Sequence, residues 1–205
     1  MKIDIAGEDL VTQEIIVRIL KDYRNDVEIG ARIPARGSQI KDISRKLNRV
    51  STPTILLTDL DNYLCASALM SDWLSGDSLR DHLLFRVACD EGESWLMSDV
   101  SGFSKWLSID ENLIPQTSSK DKRRPDCMEL NFNFKPSLYL MRELAVRSSD
   151  MTLREKLIPK AYAKKGPEYN SALLPFIQNI WNIEAAKRNS YSLRRAVERI
   201  QEFQM

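Results

Sequence analysis

Hydrophobic and polar positions divide the first half of the chain into short alternating and longer helical stretches. Ile3 and Ile5 alternate with polar residues and stop at Gly7, which predicts a short strand. Over 10–23, Ile15, Ile16, Ile19, Leu20 and Tyr23 recur at helical spacing, with Arg18, Lys21 and Arg24 on other faces. A second strand is expected from Val27 to Ile33, ahead of Pro34. After Gly37-Ser38 a helix places Ile40, Ile43, Leu47 and Val50 on one side and Lys41, Arg45 and Arg49 on the other. Thr54-Ile55-Leu56-Leu57-Thr58 is a continuous apolar run of the kind buried on both faces of a parallel sheet. It ends in Asp59-Leu60-Asp61-Asn62. A helix over roughly 63–75 closes at Gly76, Leu83 to Cys89 gives a fourth strand, and one helix is expected from Glu93 to Trp106.

Beyond about residue 110 the texture changes. Residues 115–126 are rich in Pro, Ser, Thr, Lys and Arg and are expected to form a loop, and the remainder carries helical periodicity. The last helix is expected to start at Ser192 as its N-cap, with Leu193, Val197, Ile200 and Phe203 on one face. The expected architecture is therefore α/β, a mainly parallel sheet flanked by helices over 1–110 and a mostly helical C-terminal extension over 111–205.

Composition narrows the function classes. In 205 residues, 30 Lys and Arg against 29 Asp and Glu leave a formal charge of +1, which excludes a broadly basic nucleic-acid coat. It does not exclude acids and bases sorted onto separate faces. Three cysteines without CxxC spacing argue against a disulfide framework and a zinc site, and Cys65 and Cys89 are expected in the core. The single histidine, His82, has no acid or nucleophile spaced to make it catalytic, and the four tryptophans fall at core-type positions. There is no apolar leader and no apolar run of about 18 residues, so a cytoplasmic protein without membrane contact is expected.

The chemistry concentrates in Glu8, Asp59 and Asp61. Each follows a strand, and in an open parallel sheet the carboxyl ends of strands share the edge where ligands bind. Positions 59 and 61 project from the same face of an extended segment, with Cα atoms roughly 7 Å apart. If the first and third strands are neighbours, three carboxylates converge. Two bare carboxylates about 4 Å apart repel by roughly 4 kcal/mol at an effective dielectric of 20, so a proton or a cation is required. An oxygen-only donor set points to Mg2+ or Mn2+. The alternative is structural: Glu8 opens a helix, where an acid suits the dipole, and Asp-Leu-Asp-Asn is a strand-to-helix turn.

Gly7-Glu8 after the first strand and Thr58-Asp59-Leu60-Asp61 after a later one resemble the Toprim fold of topoisomerases, bacterial primases and overcoming-lysogenization-defect (OLD) nucleases. Arg86-Val87-Ala88, Glu91-Gly92-Glu93-Ser94-Trp95-Leu96-Met97-Ser98-Asp99, Gly166-Pro167-Glu168-Tyr169-Asn170, Trp181 and Ser192-Leu193-Arg194-Arg195-Ala196 are similar to a family of small bacterial Toprim-like proteins. The resemblance implies a Mg2+- or Mn2+-dependent nuclease hydrolysing phosphodiester bonds, with Glu8 as metal ligand or general base and Asp59 and Asp61 as paired ligands. It implies a second acidic cluster in Glu91 and Glu93, ahead of Asp99, and a lysine near the metals, for which Lys135 is the candidate. It also implies an anti-phage effector working with an ABC- or SMC-type ATPase in trans, since the chain has no GxxxxGK[ST].

For nucleic-acid contact, DNA ahead of RNA, the candidates are Arg36, Lys41, Arg45 and Arg49, helped by Arg32, together with Lys122, Arg123 and Arg124. Solvated helix faces are the competing reading of these residues. The other function class is a catalytically degenerate Toprim subunit that binds or regulates within such a complex. Assembly into a homo-oligomer stays open.

Overall fold

The computed structural model describes residues 1–34, 39–119 and 125–204. They form two compact units, Met1–Gly92 with Arg195–Met205, and Glu93–Arg194.

The first unit is an alternating α/β domain. Strand β1 (Lys2–Gly7) leads to α1 (Leu10–Tyr23), β2 (Glu28–Pro34), α2 (Gln39–Leu47), β3 (Thr54–Asp59), α3 (Ala66–Trp73) and β4 (Leu83–Ala88). All four strands pair in parallel in the order β2-β1-β3-β4. The register sets Ile5 beside Ile55 and Gly7 beside Leu57, so the first and third strands are direct neighbours.

Helix α1 starts where the chain supplies a reciprocal cap. The Asp9 carboxylate accepts the Thr12 N–H at 3.0 Å, and the Thr12 hydroxyl accepts the Asp9 N–H at 3.1 Å. Val11, Ile15, Ile16, Ile19 and Leu20 are buried, and α1 packs on β1 and β3. On the opposite face of the sheet, Ala6, Leu56 and Phe85 share a core with Ile40 and Leu47 of α2 and Leu69 and Trp73 of α3. The run Ile55-Leu56-Leu57 is therefore buried on both faces, each side chain contributing roughly 1.5–3 kcal/mol. Helix α3 is shorter than its apolar spacing predicts, and Gly76 just beyond it has φ +81°, a conformation suited to glycine.

The second unit is mostly helical. It contains α4 (Gly92–Met97, beginning on the last residue of the first unit), α5 (Val100–Leu107), strands β5 (Thr117–Ser119) and β6 (Met128–Leu130), and α6 (Pro136–Tyr139), which runs on into a π turn at Leu140–Leu144. It continues with α7 (Met151–Leu157), α8 (Tyr169–Pro175), which also passes into a π turn at Phe176–Ile180, α9 (Ile183–Asn189) and the first part of α10 (Tyr191–Glu202). Phe103, Trp106 and Phe176 form an aromatic knot with centroids 5.1–5.2 Å apart, and Trp95 and Trp181 are fully buried.

Four local expectations are corrected. The single helix over 93–106 is two helices, because Asp99 caps α5 by accepting the Gly102 N–H at 3.2 Å and also accepts the Asn182 N–H at 2.8 Å. The segment expected as a loop over 115–126 contributes β5, which pairs antiparallel with β6. The last helix starts at Tyr191, with Ser190 as the capping side chain through Leu193 N–H at 3.2 Å. Ser192 lies inside it, and its N–H and the Ser190 hydroxyl both donate to the buried Glu129 carboxylate. Cys65 is exposed and Cys89 half-buried, so neither is the core residue expected, and no disulfide joins the three cysteines.

Candidate functional site

Helical connections leave β1 toward β2 on one side, while β3 lies on the other. The carboxyl ends of β1 and β3 therefore flank a topological switch point, the place in an open α/β sheet where a crevice forms. Glu8 and Asp59 stand there, on adjacent strands.

Gly7 makes the exit from β1 tight. A Cβ at this position would lie 2.6 Å from the Thr12 hydroxyl oxygen and 3.1 Å from the Gln13 nitrogen. The next side chain, Glu8, reaches across to β3, where its Oε1 accepts the Thr58 hydroxyl and the Asp59 N–H, the latter at 3.2 Å. Asp59 Oδ1 accepts the Gly92 N–H at 2.9 Å, joining the end of β3 to the chain that leaves β4. Asp61 sits exposed in the turn with φ +49°, and Asp90, after β4, has φ +63°. Asp tolerates the left-handed region better than most residues, and these two turns redirect the chain on the same sheet edge.

Burial pushes the Glu8 carboxyl above the ordinary glutamate range. The hydrogen bonds from Thr58 and Asp59 oppose that shift, and the Asp61 and Asp9 carboxylates add to it. Among the described residues, no group of three or more His, Cys, Asp or Glu side chains is arranged to hold a metal ion.

The other predicted site residues occupy different surroundings. Glu91 is buried in the first unit, and Glu93 is buried in the second. Glu93 Oε1 accepts the Tyr169 hydroxyl at 2.8 Å and lies 4.0 Å from Lys165 Nζ, which rests 4.6 Å from the Tyr169 ring centroid. Asp99 is the helix cap described above. Lys135 is exposed in the second unit, at the start of α6. Lys41 pairs with Asp72 at 2.5 Å, Arg45 donates to the Trp73 carbonyl at 2.7 Å and pairs with Asp42 at 3.4 Å, and Arg49 lies 3.6 Å from Asp77. Lys41 and Arg45 thus fasten α2 to α3, while Arg49 makes only an exposed contact with the turn after it. Arg32 pairs with Glu14 at 2.9 Å. Arg36, Lys122, Arg123 and Arg124 lie outside the described residues.

Sequence reasoning did not pick out Thr58, Gly92 or Tyr169 as partners of the acids. Thr58 had the clearest signal, a hydroxyl directly before the first aspartate of the pair. Tyr169 had none, since it lies 76 positions from Glu93. Compared with known protein families, curated proteins and solved structures, the chain matches none. Among the described residues, no helix is long and apolar enough to cross a membrane.

Proposed function

We propose that this chain is a Toprim-type nuclease that hydrolyses phosphodiester bonds in DNA or RNA with Mg2+ or Mn2+. The observation that carries the reading is the pairing of Glu8 with Thr58 and Asp59 across adjacent strands at the switch point. The donor chemistry, though not a gathered set of three, suits a hard cation: Glu8, Asp59 and Asp61 offer carboxylate oxygens and would have to draw together to hold it. When bound, a divalent cation supplies Lewis-acid polarisation of a phosphoryl oxygen. The chain's own part is to hold its carboxylates ready. Thr58 and the Asp59 N–H orient Glu8, and the Gly92 N–H orients Asp59.

By family resemblance, the nuclease is the effector of an anti-phage system with an ABC- or SMC-type ATPase in trans. A degenerate subunit that binds without cleaving is the second reading. The internal pairing of Lys41 and Arg45, which takes those two cations away from a phosphate backbone, favours it.

The experiment is cleavage of plasmid DNA and RNA with Mg2+ or Mn2+, comparing wild type with Asp59→Ala, alone and with any co-purifying ATPase. Loss of cleavage in Asp59→Ala supports the nuclease. Equal activity in the two proteins removes the site, and an inactive wild type in every arm leaves the binding subunit.

A further inference from the structure

At the opposite edge of the same sheet, the amino ends of β3 and β4 border a cavity of about 520 Å³. Its walls are held by hydrogen bonds between the end of α2 and the segment entering β4. Asn48, only 4% exposed, accepts the Arg80 N–H at 2.9 Å through Oδ1 and donates through Nδ2 to the Ser78 carbonyl at 3.0 Å. His82 Nε2 lies 3.1 Å from the Leu47 carbonyl, and because a carbonyl only accepts, Nε2 carries the proton. The His82 carbonyl in turn accepts the Thr54 N–H at 2.9 Å. The cavity is therefore bordered by a segment fixed at residues 78, 80 and 82.

The lining is polar and carries more positive than negative charge. Arg49 and Arg80 contribute guanidinium groups, Ser51 and Ser78 hydroxyls, and Asp77 the one carboxylate. Asp77 is 3.6 Å from Arg49, with side chains 59% and 72% exposed, so their attraction is weak and open to competition from another anion. The Arg80 side chain makes no hydrogen bond or ion pair among the described residues. Among the described residues no aliphatic side chain lines this space, and its one aromatic ring is the polar imidazole of His82, which argues against an apolar ligand. Arginine guanidinium groups and serine hydroxyls are the donor types that suit a phosphate group. The six residues of β3 place this cavity roughly 20 Å from the carboxylate edge, so it is separate from the Glu8 and Asp59 site.

We propose that this cavity is a phosphate-binding site, with Arg80 and Arg49 as its principal ligands and His82 at its wall. Its occupant is a phosphorylated ligand, either a free nucleotide-sized molecule or a nucleic-acid backbone. The inference does not depend on the nuclease reading.

His82 is the only histidine of the 205 residues, so the chain gives one set of imidazole ring signals by NMR. Inorganic phosphate titrated at constant ionic strength is expected to shift that signal saturably. Arg80→Ala and Arg49→Ala should each weaken binding about tenfold, or 1.4 kcal/mol, while Arg18→Ala, whose partner is Asp22 on α1, leaves it unchanged. Arg80→Lys retains the charge but not the fork and should lose a smaller part, which guards against a folding defect in the alanine variant. Tighter binding of adenosine 5′-monophosphate than of phosphate supports a free nucleotide-sized ligand. Tighter binding of a short oligothymidylate supports a backbone phosphate. A response that stays linear in phosphate, or is the same in Arg80→Ala as in wild type, overturns the site.

Discussion

Gly7→Ala tests how the end of β1 aims Glu8. The added methyl would sit 2.6 Å from Thr12 Oγ1, closer than real side chains approach, and 3.1 Å from both Thr12 Cβ and Gln13 N. Thr12 cannot yield freely, because its hydroxyl accepts the Asp9 N–H and donates to the Asp9 carbonyl at 3.0 Å. Breaking that half of the cap costs about 1 kcal/mol, and forcing a methyl into a filled turn costs about 1–3 kcal/mol. Against this stands a gain of about 0.4–1 kcal/mol from the reduced freedom of alanine in the unfolded chain. The gain applies because Gly7 does not need positive φ; among the described glycines only Gly76 has it. Steric cost wins, and the expected net loss is about 1–3 kcal/mol. Urea unfolding measures it as a lowered midpoint with unchanged slope. Thr12→Ala in the same background removes the nearest atom, so the double variant should be less destabilised than the sum of the singles by about 1 kcal/mol. A Gly7→Ala protein as stable as wild type, or strictly additive singles, would refute the account of this turn.

Glu8→Gln keeps an oxygen for Thr58 and the Asp59 N–H while removing a charge whose folded pKa burial has raised. For a raised acid, the stability linked to its proton is present below the unfolded value of 4.5 and is lost as pH rises through the folded value. The glutamine variant should therefore melt higher than wild type at pH 7 and equally at pH 4; an equal gain at both pH values sinks the argument. Glu129→Ala strands the Ser190 hydroxyl and the Ser192 N–H at the buried start of α10. At about 1.5–3 kcal/mol for each bond to a charged group, it should cost about 3–6 kcal/mol in urea unfolding, and Glu129→Gln distinctly less.

The first half of the fold was readable because its periods are local. Helix α1 coincides with the spacing of Ile15, Ile16, Ile19 and Leu20, and β3 with an apolar run too short for a helix and too continuous for a half-exposed strand. Glu8 and Asp59 were legible for the same reason, each standing directly after a strand. The break between α4 and α5 was not, because Asp99 works as a cap with a second partner 83 positions away at Asn182. Pairing across such distances leaves no trace in a local pattern.

The basic stripe on α2 shows the division most clearly. Its spacing was correct from the sequence, since Lys41, Arg45 and Arg49 recur at four. Its engagement was decided by tertiary structure, which brings Asp72, the Trp73 carbonyl and Asp77 within reach. By itself, then, the sequence determined the four strands of the parallel sheet, most of the helices and which acids end which of those strands, because hydrophobic period and turn residues act over a few positions. Tertiary structure alone decided that β1 and β3 are neighbours, that Thr58 holds Glu8, and that the chain beyond Arg195 returns to the first unit. Those outcomes depend on which buried surfaces and hydrogen-bonding groups meet once distant segments pack, and a linear pattern does not encode that meeting.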